Sequence, residues 1–270
     1  MSEPKKISPG HQRYLDNIKK TEKKKRLWQI SLLLAFLILW ELAGQMRWID
    51  PFIMSQPSRV WNSLANLARE GSLGLHIAVT TSETLIGFAL ATIIGLGAAI
   101  ALWWFPLAAK ILDPYLVVLN ALPKIALGPI LIVWAGAGPK AIIAVTVLVT
   151  VVVTIINLYN GFIQTDQGKI HLLRSFGASR QQIFLKVVFP SNVPNLISAL
   201  KINIGLAWVG VIVGEFLVSR AGLGYLIVYG GQVFKLDLVM ASIFILCILT
   251  ALMYYAVVYL EEITMKIWHS

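Results

Sequence analysis

Charge is scarce in this chain. Asp, Glu, Lys and Arg make up 13% of its 270 residues, roughly half the share found in soluble domains. Hydrophobic residues make up 57%, and the mean hydropathy is +0.75. A single water-soluble core cannot hide so much apolar surface, so the composition predicts an integral membrane protein.

Three further absences exclude classes of function. The single cysteine, Cys247, has no partner for an intrachain disulfide or a cysteine metal site. The four histidines, His11, His76, His171 and His269, lack the spacing of metal ligands. No nucleophile, base and orienting group can be assembled, and the G-x-x-x-x-G-K-S/T loop that cradles nucleotide phosphates does not occur. We therefore expect no catalytic, cofactor or metal site on this chain.

Positive charge is concentrated at the N-terminus. The net charge is +10, and nine basic residues precede the first apolar run: Lys5, Lys6, Arg13, Lys19, Lys20, Lys23, Lys24, Lys25 and Arg26. Such a segment next to a membrane span is typical of a cytoplasmic tail facing anionic lipid, and we expect no nucleic acid partner. We assign residues 1–27 to a basic cytoplasmic tail and residues 28–270 to a membrane domain.

Six apolar runs approach or exceed the length of about 20 residues that a helix needs to cross a bilayer. They cover residues 28–45, 80–105, 111–134, 140–161, 191–219 and 238–260. The first is expected to stay as an anchor, since a cleavable signal peptide would begin closer to the N-terminus. Lys and Arg number 15 on the side of the two termini and 6 on the other, which predicts that both termini are cytoplasmic.

Residues 168–190 form a short charged segment between the fourth and fifth spans. Apolar stripes mark two short helices, Gly177 is placed to end the first, and Ser179 with Gln182 forms a capping box for the second. The apolar stripe of the first helix is predicted to contain Ile170, Leu172, Leu173 and Phe176. The polar face presents four side chains: Arg174, Ser175, Arg180 and Gln181.

These features predict an all-α membrane protein, a polytopic bundle of about six transmembrane helices with a cytoplasmic helical hairpin. A plain interfacial loop accounts for the hairpin pattern as well. A DNA-binding motif does not, because the tether between two spans blocks access to a major groove.

At the hairpin a family resemblance becomes visible. A glycine followed thirteen residues later by a proline, with "GAS" and "QIF" between, resembles the signature loop of permease subunits of binding-protein-dependent ABC importers. The sequence "HLL" replaces the Glu-Ala-Ala that opens this loop in the family. The segments "QPSRVWNSL", "AWVGVIVGEF" and "GLGYLI" resemble the branch that imports sulfonates, taurine, nitrate or pyrimidine precursors.

This resemblance implies a set of partners. The hairpin would be a coupling helix seated on a separate ATPase subunit, which would bind ATP and Mg. The residues that would make this contact are Arg174, Ser175, Gly177, Ala178, Ser179 and Arg180. Two ATPase subunits, a second permease copy and a substrate-binding protein would complete an importer in a bacterial-type inner membrane. It would carry a small anionic or heteroaromatic solute by alternating access.

The spans contain candidates for a translocation pathway or gate. Lys201, Trp208 and Glu215 are seven residues apart and share one helical face. An ionisable group inside a span faces the bundle interior or water by default. The resemblance places Glu215 at or near the outer gate, with Glu83 as a possible companion, and a structural hydrogen bond explains Glu215 equally well.

The third span contains two further candidates, Asn120 and Pro123, in "NALPKIALGP". Loss of backbone hydrogen bonds at its prolines is tolerated beside protein or a wet cavity, although a simple kink explains them as well. Small residues recur every four positions in the second and fifth spans and predict close helix packing. Residues 219–237 are too polar and glycine-rich to span, so we expect them to insert partway or lie flat on the outer surface.

Two rival functions stay open at this point. A secondary transporter driven by an ion gradient would be expected to show internal repeats and unwound midplane helices, and the two halves show no convincing repeat. A membrane scaffold without transport predicts a dry bundle in which Glu215 is paired. Neither explains the hairpin as well as an importer subunit does.

Overall fold

The computed structural model describes residues 9–268, which form helices and no strands. The chain divides into a first unit that ends at Ser63 and a second that begins at Leu64. Five helices are long and apolar enough to cross a membrane, and one bent helix pair meets the same test. The predicted all-α bundle of about six spans is thus confirmed.

The first unit is dominated by one long helix, α1 (Pro9–Gln45). Its 37 residues extend about 55 Å, far more than the roughly 30 Å of a bilayer core. The part of the basic tail from Pro9 onward is therefore continuous with the first span, while Lys5, Lys6 and residues 269–270 lie outside the described residues. The short α2 (Pro51–Met54) and the start of α3 (Pro57–Arg69) complete this unit.

Glu41 joins the end of α1 to the start of α3. Its carboxylate accepts hydrogen bonds from the backbone N–H and from the hydroxyl of Ser58, both at 2.9 Å. These bonds satisfy a backbone donor at the beginning of a helix, where the chain offers no intrahelical acceptor. Glu41 thus stabilises the local fold at the end of the first span.

The second unit contains the remaining helices. They are α4 (Leu73–Trp104), α5 (Pro106–Ala121), α6 (Gly128–Ala135), α7 (Pro139–Ile163), α8 (Gln167–Ser175), α9 (Arg180–Ile183), α10 (Phe189–Ser191), α11 (Val193–Val218), α12 (Leu223–Gln232) and α13 (Leu236–Trp268). A 3₁₀ turn (Lys124–Leu127) precedes α6, and a π-helical turn (Phe184–Val188) joins α9 to α10.

The core of this unit is the packing of α4, α7 and α11. Gly87 of α4 lies against Thr146 of α7, and Gly95 lies against Thr154. The residue numbers of these contacts increase in the same direction along both helices, so α4 and α7 run parallel. A methyl group at Gly210 of α11 would lie 2.6 Å from the Cα atom of Thr146. The small residues therefore allow close approach of the helices, as the sequence predicted.

The direction of the helices shows whether the bent pair, α5 and α6, crosses the membrane as one span. Because α4 and α7 run parallel, the chain between them must return from one end of the core to the other. That chain consists of α5, the 3₁₀ turn and α6, which are bent by 89°. The third span is thus a broken span, in which Pro123 stands at the break.

Two predicted boundaries were wrong. The second span begins at Leu73 instead of residue 80, so His76 lies inside α4. The last helix continues through Glu261 and Glu262 to Trp268, beyond the predicted end of the last span at residue 260. Glu261 is tolerated because its carboxylate lies 2.5 Å from the ammonium group of Lys201 on α11.

Candidate functional site

The hairpin, which comprises α8 to α10 (residues 167–191), has the local geometry that the sequence predicted. Gly177 follows α8 with φ of 74°, the left-handed region that favours glycine. Ser179 Oγ accepts from the N–H of Gln182 at 3.3 Å, and Gln182 Oε1 accepts from the N–H of Ser179 at 2.8 Å. This reciprocal pair is a capping box and starts α9.

The apolar side of the hairpin is buried against the C-terminal ends of α4 and α7. Four hairpin side chains are buried there: Ile170, Ile183, Phe184 and Val188. They pack with Ala99 of α4 and with Leu158 and Phe162 of α7. The ring of Phe184 lies 4.9 Å from that of Trp103 and 5.6 Å from that of Phe162. The hairpin is therefore fixed to the ends of two spans.

Arg180 adds a polar contact between the hairpin and α4. Its Nη2 donates to the carbonyl of Trp103 at 2.8 Å. Its guanidinium carbon lies 5.1 Å and 5.7 Å from the ring centroids of Trp103 and Trp104, within the range of cation–π attraction. The sequence placed Arg180 on the outward polar face, and the structure gives it an additional intramolecular role.

The outward face of the hairpin combines polar and apolar groups. Arg174, Ser175, Gly177 and Ser179 are exposed, whereas Ala178 is half-buried. Phe176, predicted to lie in the buried stripe, is 77% exposed, because α8 has ended there and the chain turns outward. Leu172, assigned to the same stripe, is 57% exposed. An apolar patch rimmed by polar residues is typical of a protein interaction surface.

At the opposite end of α4, three side chains hold the beginning of α12. The N–H of Gly222 donates to His76 Nδ1 at 2.9 Å, and that of Leu223 donates to Thr80 Oγ1 at 2.7 Å. Glu215 Oε2 accepts from the N–H of Gly224 at 2.6 Å. These groups satisfy backbone donors that a helix start leaves unpaired. We call His76, Thr80 and Glu215 the α12 anchor.

The glycines of "GLGYLI" are required by this anchor. Gly222 has φ of 119°, and a methyl group there would overlap the carboxylate of Glu215. A methyl group at Gly224 would lie 2.8 Å from Glu215 Oε2. The carboxylate therefore occupies the space that side chains would need. The segment 219–237, predicted to insert partway or lie flat, forms a short helix fixed to α4 and α11.

Glu215 is 1% exposed, and Glu83 of α4 lies beside it. Among the described residues, Glu83 Oε2 and Glu215 Oε1 have no hydrogen-bond partner. The companion role suggested for Glu83 is thus matched by its position. Of the two explanations that the sequence left open for Glu215, the contacts of its carboxylate supply the structural one directly. His76, which the sequence did not single out, stacks on Tyr225 at 6.1 Å.

The other pathway candidates do not meet in one site. Lys201 pairs with Glu261, and Trp208 is buried in an apolar cluster between α11 and α13. Asn120 and Pro123 are exposed beside the break between α5 and α6, where the Asn120 carbonyl accepts from Lys124 Nζ at 3.0 Å. Spacing alone grouped Lys201, Trp208 and Glu215, whereas Lys201 and Trp208 contact α13 and Glu215 contacts α12.

Comparison with known proteins agrees with this architecture. The family model described as "Binding-protein-dependent transport system inner membrane component" matches residues 91–263, a range that includes α7, the hairpin and α11. This chain belongs to that family. The resemblance found in the sequence is confirmed, and the protein is a multi-pass permease of the inner-membrane transport class.

Two curated relatives place the permease more narrowly. It is 31% identical over 230 residues to the formylaminopyrimidine transport permease protein ThiX of Halalkalibacterium halodurans, covering 85% of this chain and 91% of that protein. It is 28% identical over 211 residues to the putative aliphatic sulfonates transport permease protein SsuC of Escherichia coli K12, covering 78% and 80%. Both belong to the branch that the sequence segments resembled.

A solved structure shares the fold. The permease is similar to a chain from an inward-facing conformation of the MetNI methionine ABC transporter, with a TM-score of 0.61 and 21% identity. The similarity covers 68% of this chain and 92% of that chain. It supports the bundle architecture derived from the helix contacts.

Proposed function

We propose that this permease forms the translocation pathway of an ATP-driven importer and receives its driving force through the hairpin. The observation that carries the proposal is the asymmetry of the hairpin. One side is fixed to α4 and α7 by buried apolar packing, and the other side exposes Arg174 and Phe176. A rigid element with an exposed mixed surface is suited to receive another protein. That protein is an ATPase subunit, which binds ATP and Mg.

The complete importer in this proposal contains two permease copies, two ATPase subunits and a substrate-binding protein. Both termini and the hairpin face the cytoplasm, in keeping with the distribution of Lys and Arg. The α12 anchor then lies on the outer side, where the binding protein delivers its solute. The solute is a small anionic or heteroaromatic compound, as the names of the two relatives suggest.

The test is affinity purification of the permease from gently solubilised native membranes, followed by mass spectrometry. Wild type is expected to retain an ATPase, and Gly177→Pro is expected to lose it, because proline fixes φ near −65° where the hairpin needs 74°. Gly71→Pro is the matched control. Gly71 has φ of 71° and open space around it, but lies at the opposite end of α4.

An ATPase lost from Gly177→Pro and retained by Gly71→Pro supports the proposal. Retention by both variants would refute the role of the hairpin. If wild type retains no ATPase under conditions that preserve a known transporter complex, an ion-driven mechanism becomes the better explanation. In that case, transport in vesicles would depend on an ion gradient and not on ATP.

A further inference from the structure

A polar cavity lies at the hairpin end of α7 and α11. Its volume is about 540 Å³, within the range of about 300–1,000 Å³ for small-molecule sites. Nearly all its lining side chains are polar, and five of them are carboxamides: Asn157, Asn160, Gln164, Asn192 and Asn195. The roles proposed above for the hairpin and the α12 anchor leave this cavity unexplained.

Two of the carboxamides are fixed by the protein. Asn192 is 7% exposed, and its Nδ2 donates to Thr165 Oγ1 at 2.9 Å and to the carbonyl of Val188 at 2.8 Å. Asn195 Nδ2 donates to the carbonyl of Asn157 at 3.1 Å. These bonds leave the side-chain carbonyl oxygen and one N–H of Asn195 for another molecule, while Asn192 Oδ1 faces Gly161 of α7.

Gly161 of α7 lies against the side chains of Asn192 and Asn195. A methyl group at this position would overlap both the Oδ1 atom of Asn192 and the Nδ2 atom of Asn195. Any larger residue would therefore displace the two amides. The absence of a side chain at Gly161 therefore allows the amides of Asn192 and Asn195 to pack directly against α7.

Two of the three remaining carboxamides, Asn160 and Gln164, are not engaged by the protein. Within residues 9–268, the side chains of Asn160 and Gln164 make no hydrogen bond, although both line the cavity. Each carboxamide offers two N–H donors and a carbonyl acceptor side by side. The cavity thus presents several donor and acceptor pairs to a ligand.

The charge of the lining argues against an anionic ligand. Lys169 and Asp166 contribute one charge of each sign. The Asp166 carboxylate also accepts from the N–H of Gly168 at 2.7 Å, which fixes it at the beginning of α8. A sulfonate is best bound by cationic donors in excess, above all by paired arginines. Carboxamides instead match a neutral edge with an amino donor beside a ring-nitrogen acceptor, as in their pairing with adenine.

We propose that this cavity binds a neutral aminopyrimidine-type solute on the hairpin side of the translocation pathway. The carboxamides recognise the amino group and the adjacent ring nitrogen. The inference rests on the proposed import function and narrows its solute to the heteroaromatic class.

The test is calorimetric titration of the full permease in lipid nanodiscs with 4-aminopyrimidine and with ethanesulfonate, an aliphatic sulfonate that carries only a negative charge. Wild type is expected to bind 4-aminopyrimidine and to show at least tenfold weaker affinity for ethanesulfonate. Asn160→Leu is expected to weaken 4-aminopyrimidine binding about tenfold, the scale of one lost hydrogen-bonded group. Because Asn160 is exposed and makes no side-chain bond, its replacement leaves the fold intact.

Matched controls separate the cavity from general effects. Asn66→Leu makes the same chemical change on the exposed surface of α3 and is expected to bind as wild type does. Gly161→Ala is expected to abolish binding, whereas Gly97→Ala, in open space on α4, is expected to preserve it. Equal affinity for ethanesulfonate, unchanged binding by Asn160→Leu, or no binding by wild type would overturn the inference.

A failure of the solute assignment can be distinguished from a failure of the proposed import function. Retention of the ATPase is measured by affinity purification, without any solute. A wild-type permease that retains the ATPase and does not bind 4-aminopyrimidine overturns only the solute assignment. A permease that retains no ATPase overturns the function proposed for the hairpin, whatever it binds.

Discussion

The hairpin and the α12 anchor lie at opposite ends of the same helix, α4, and differ in how their polar groups are satisfied. At the anchor, backbone donors of Gly222, Leu223 and Gly224 reach side chains from two spans, and Glu215 is 1% exposed. At the hairpin, the polar groups that close the turn are paired within the turn itself. Its outward side chains, including Arg174, stay exposed.

This difference separates a structural polar site from an interaction surface. At the anchor, the buried polar contacts are made within the protein and add specificity to the fold, although Glu215 Oε1 has no partner among the described residues. An exposed face beside a rigid, packed element is available to another protein. Substitutions that displace the groups of the anchor should therefore reduce the amount of folded protein, while changes at the hairpin should reduce partner binding in a folded protein.

The largest effect is expected from Gly222→Val in the anchor. The backbone strain at φ of 119° costs about 1–3 kcal/mol, and the side chain would also overlap the Glu215 carboxylate. The folded fraction, followed by thermal unfolding in detergent, is expected to fall sharply. Gly231→Val, in open space on the same helix, is the control. Equal stability of the two variants would contradict the anchor.

The next effect is expected from Phe176→Ser at the hairpin. Its ring is 77% exposed, so its removal leaves no cavity and should not change thermal stability. Retention of the ATPase is expected to fall about tenfold, because exposed aromatic residues often dominate the energy of an interface. Trp61→Ser, at a side chain that is 71% exposed on α3, should have no such effect. An unchanged yield of ATPase would remove Phe176 from the contact surface.

A smaller effect is expected from Glu215→Gln. The amide oxygen can still accept from Gly224, so the loss of stability is expected to be small, about 1 kcal/mol. Solute uptake is expected to fall more than the amount of inserted protein, measured by transport assays and membrane immunoblots. Glu70→Gln, an exposed acid between α3 and α4, serves as the control. A wild-type uptake rate would exclude a role for this carboxylate in transport.

The smallest effect is expected at the ion pair of Lys201 and Glu261. Its side chains are 26% and 31% exposed, so screening limits its net contribution to about 1 kcal/mol or less. A double-mutant cycle with Lys201→Met and Glu261→Gln, read by thermal unfolding, measures the coupling. A coupling energy several times larger would show that the pair stabilises α13 far more than its exposure suggests.

Local rules account for most of what the sequence predicted correctly. The turn at Gly177 and the capping box at Ser179 depend on residues within one helical turn, so their geometry could be derived without the rest of the fold. The prolines of the third span predicted an interruption, and the structure adds its 89° angle. Small residues on α4 and α11 predicted close packing because their spacing follows the helical period.

Non-local contacts account for what the sequence missed. The continuation of α13 through Glu261 depends on Lys201, which is 60 residues away along the chain. His76 accepts from Gly222 across 146 residues, and no local pattern marks it as a helix cap. Phe176 was assigned to a buried stripe because periodicity gives no sign that α8 ends just before it. The predicted contact of the hairpin residues with an ATPase and the pathway roles of Lys201, Trp208, Asn120 and Pro123 stay predictions.

The bond between Arg180 and Trp103 has a mechanical consequence. The hairpin is continuous in the chain with α7 and α11, and through this bond it is also attached to the end of α4. A force applied to its outward face is therefore divided among three helices that already pack against one another. In the proposed importer, a tilt of the hairpin at one membrane surface would therefore be carried by all three helices toward the other surface.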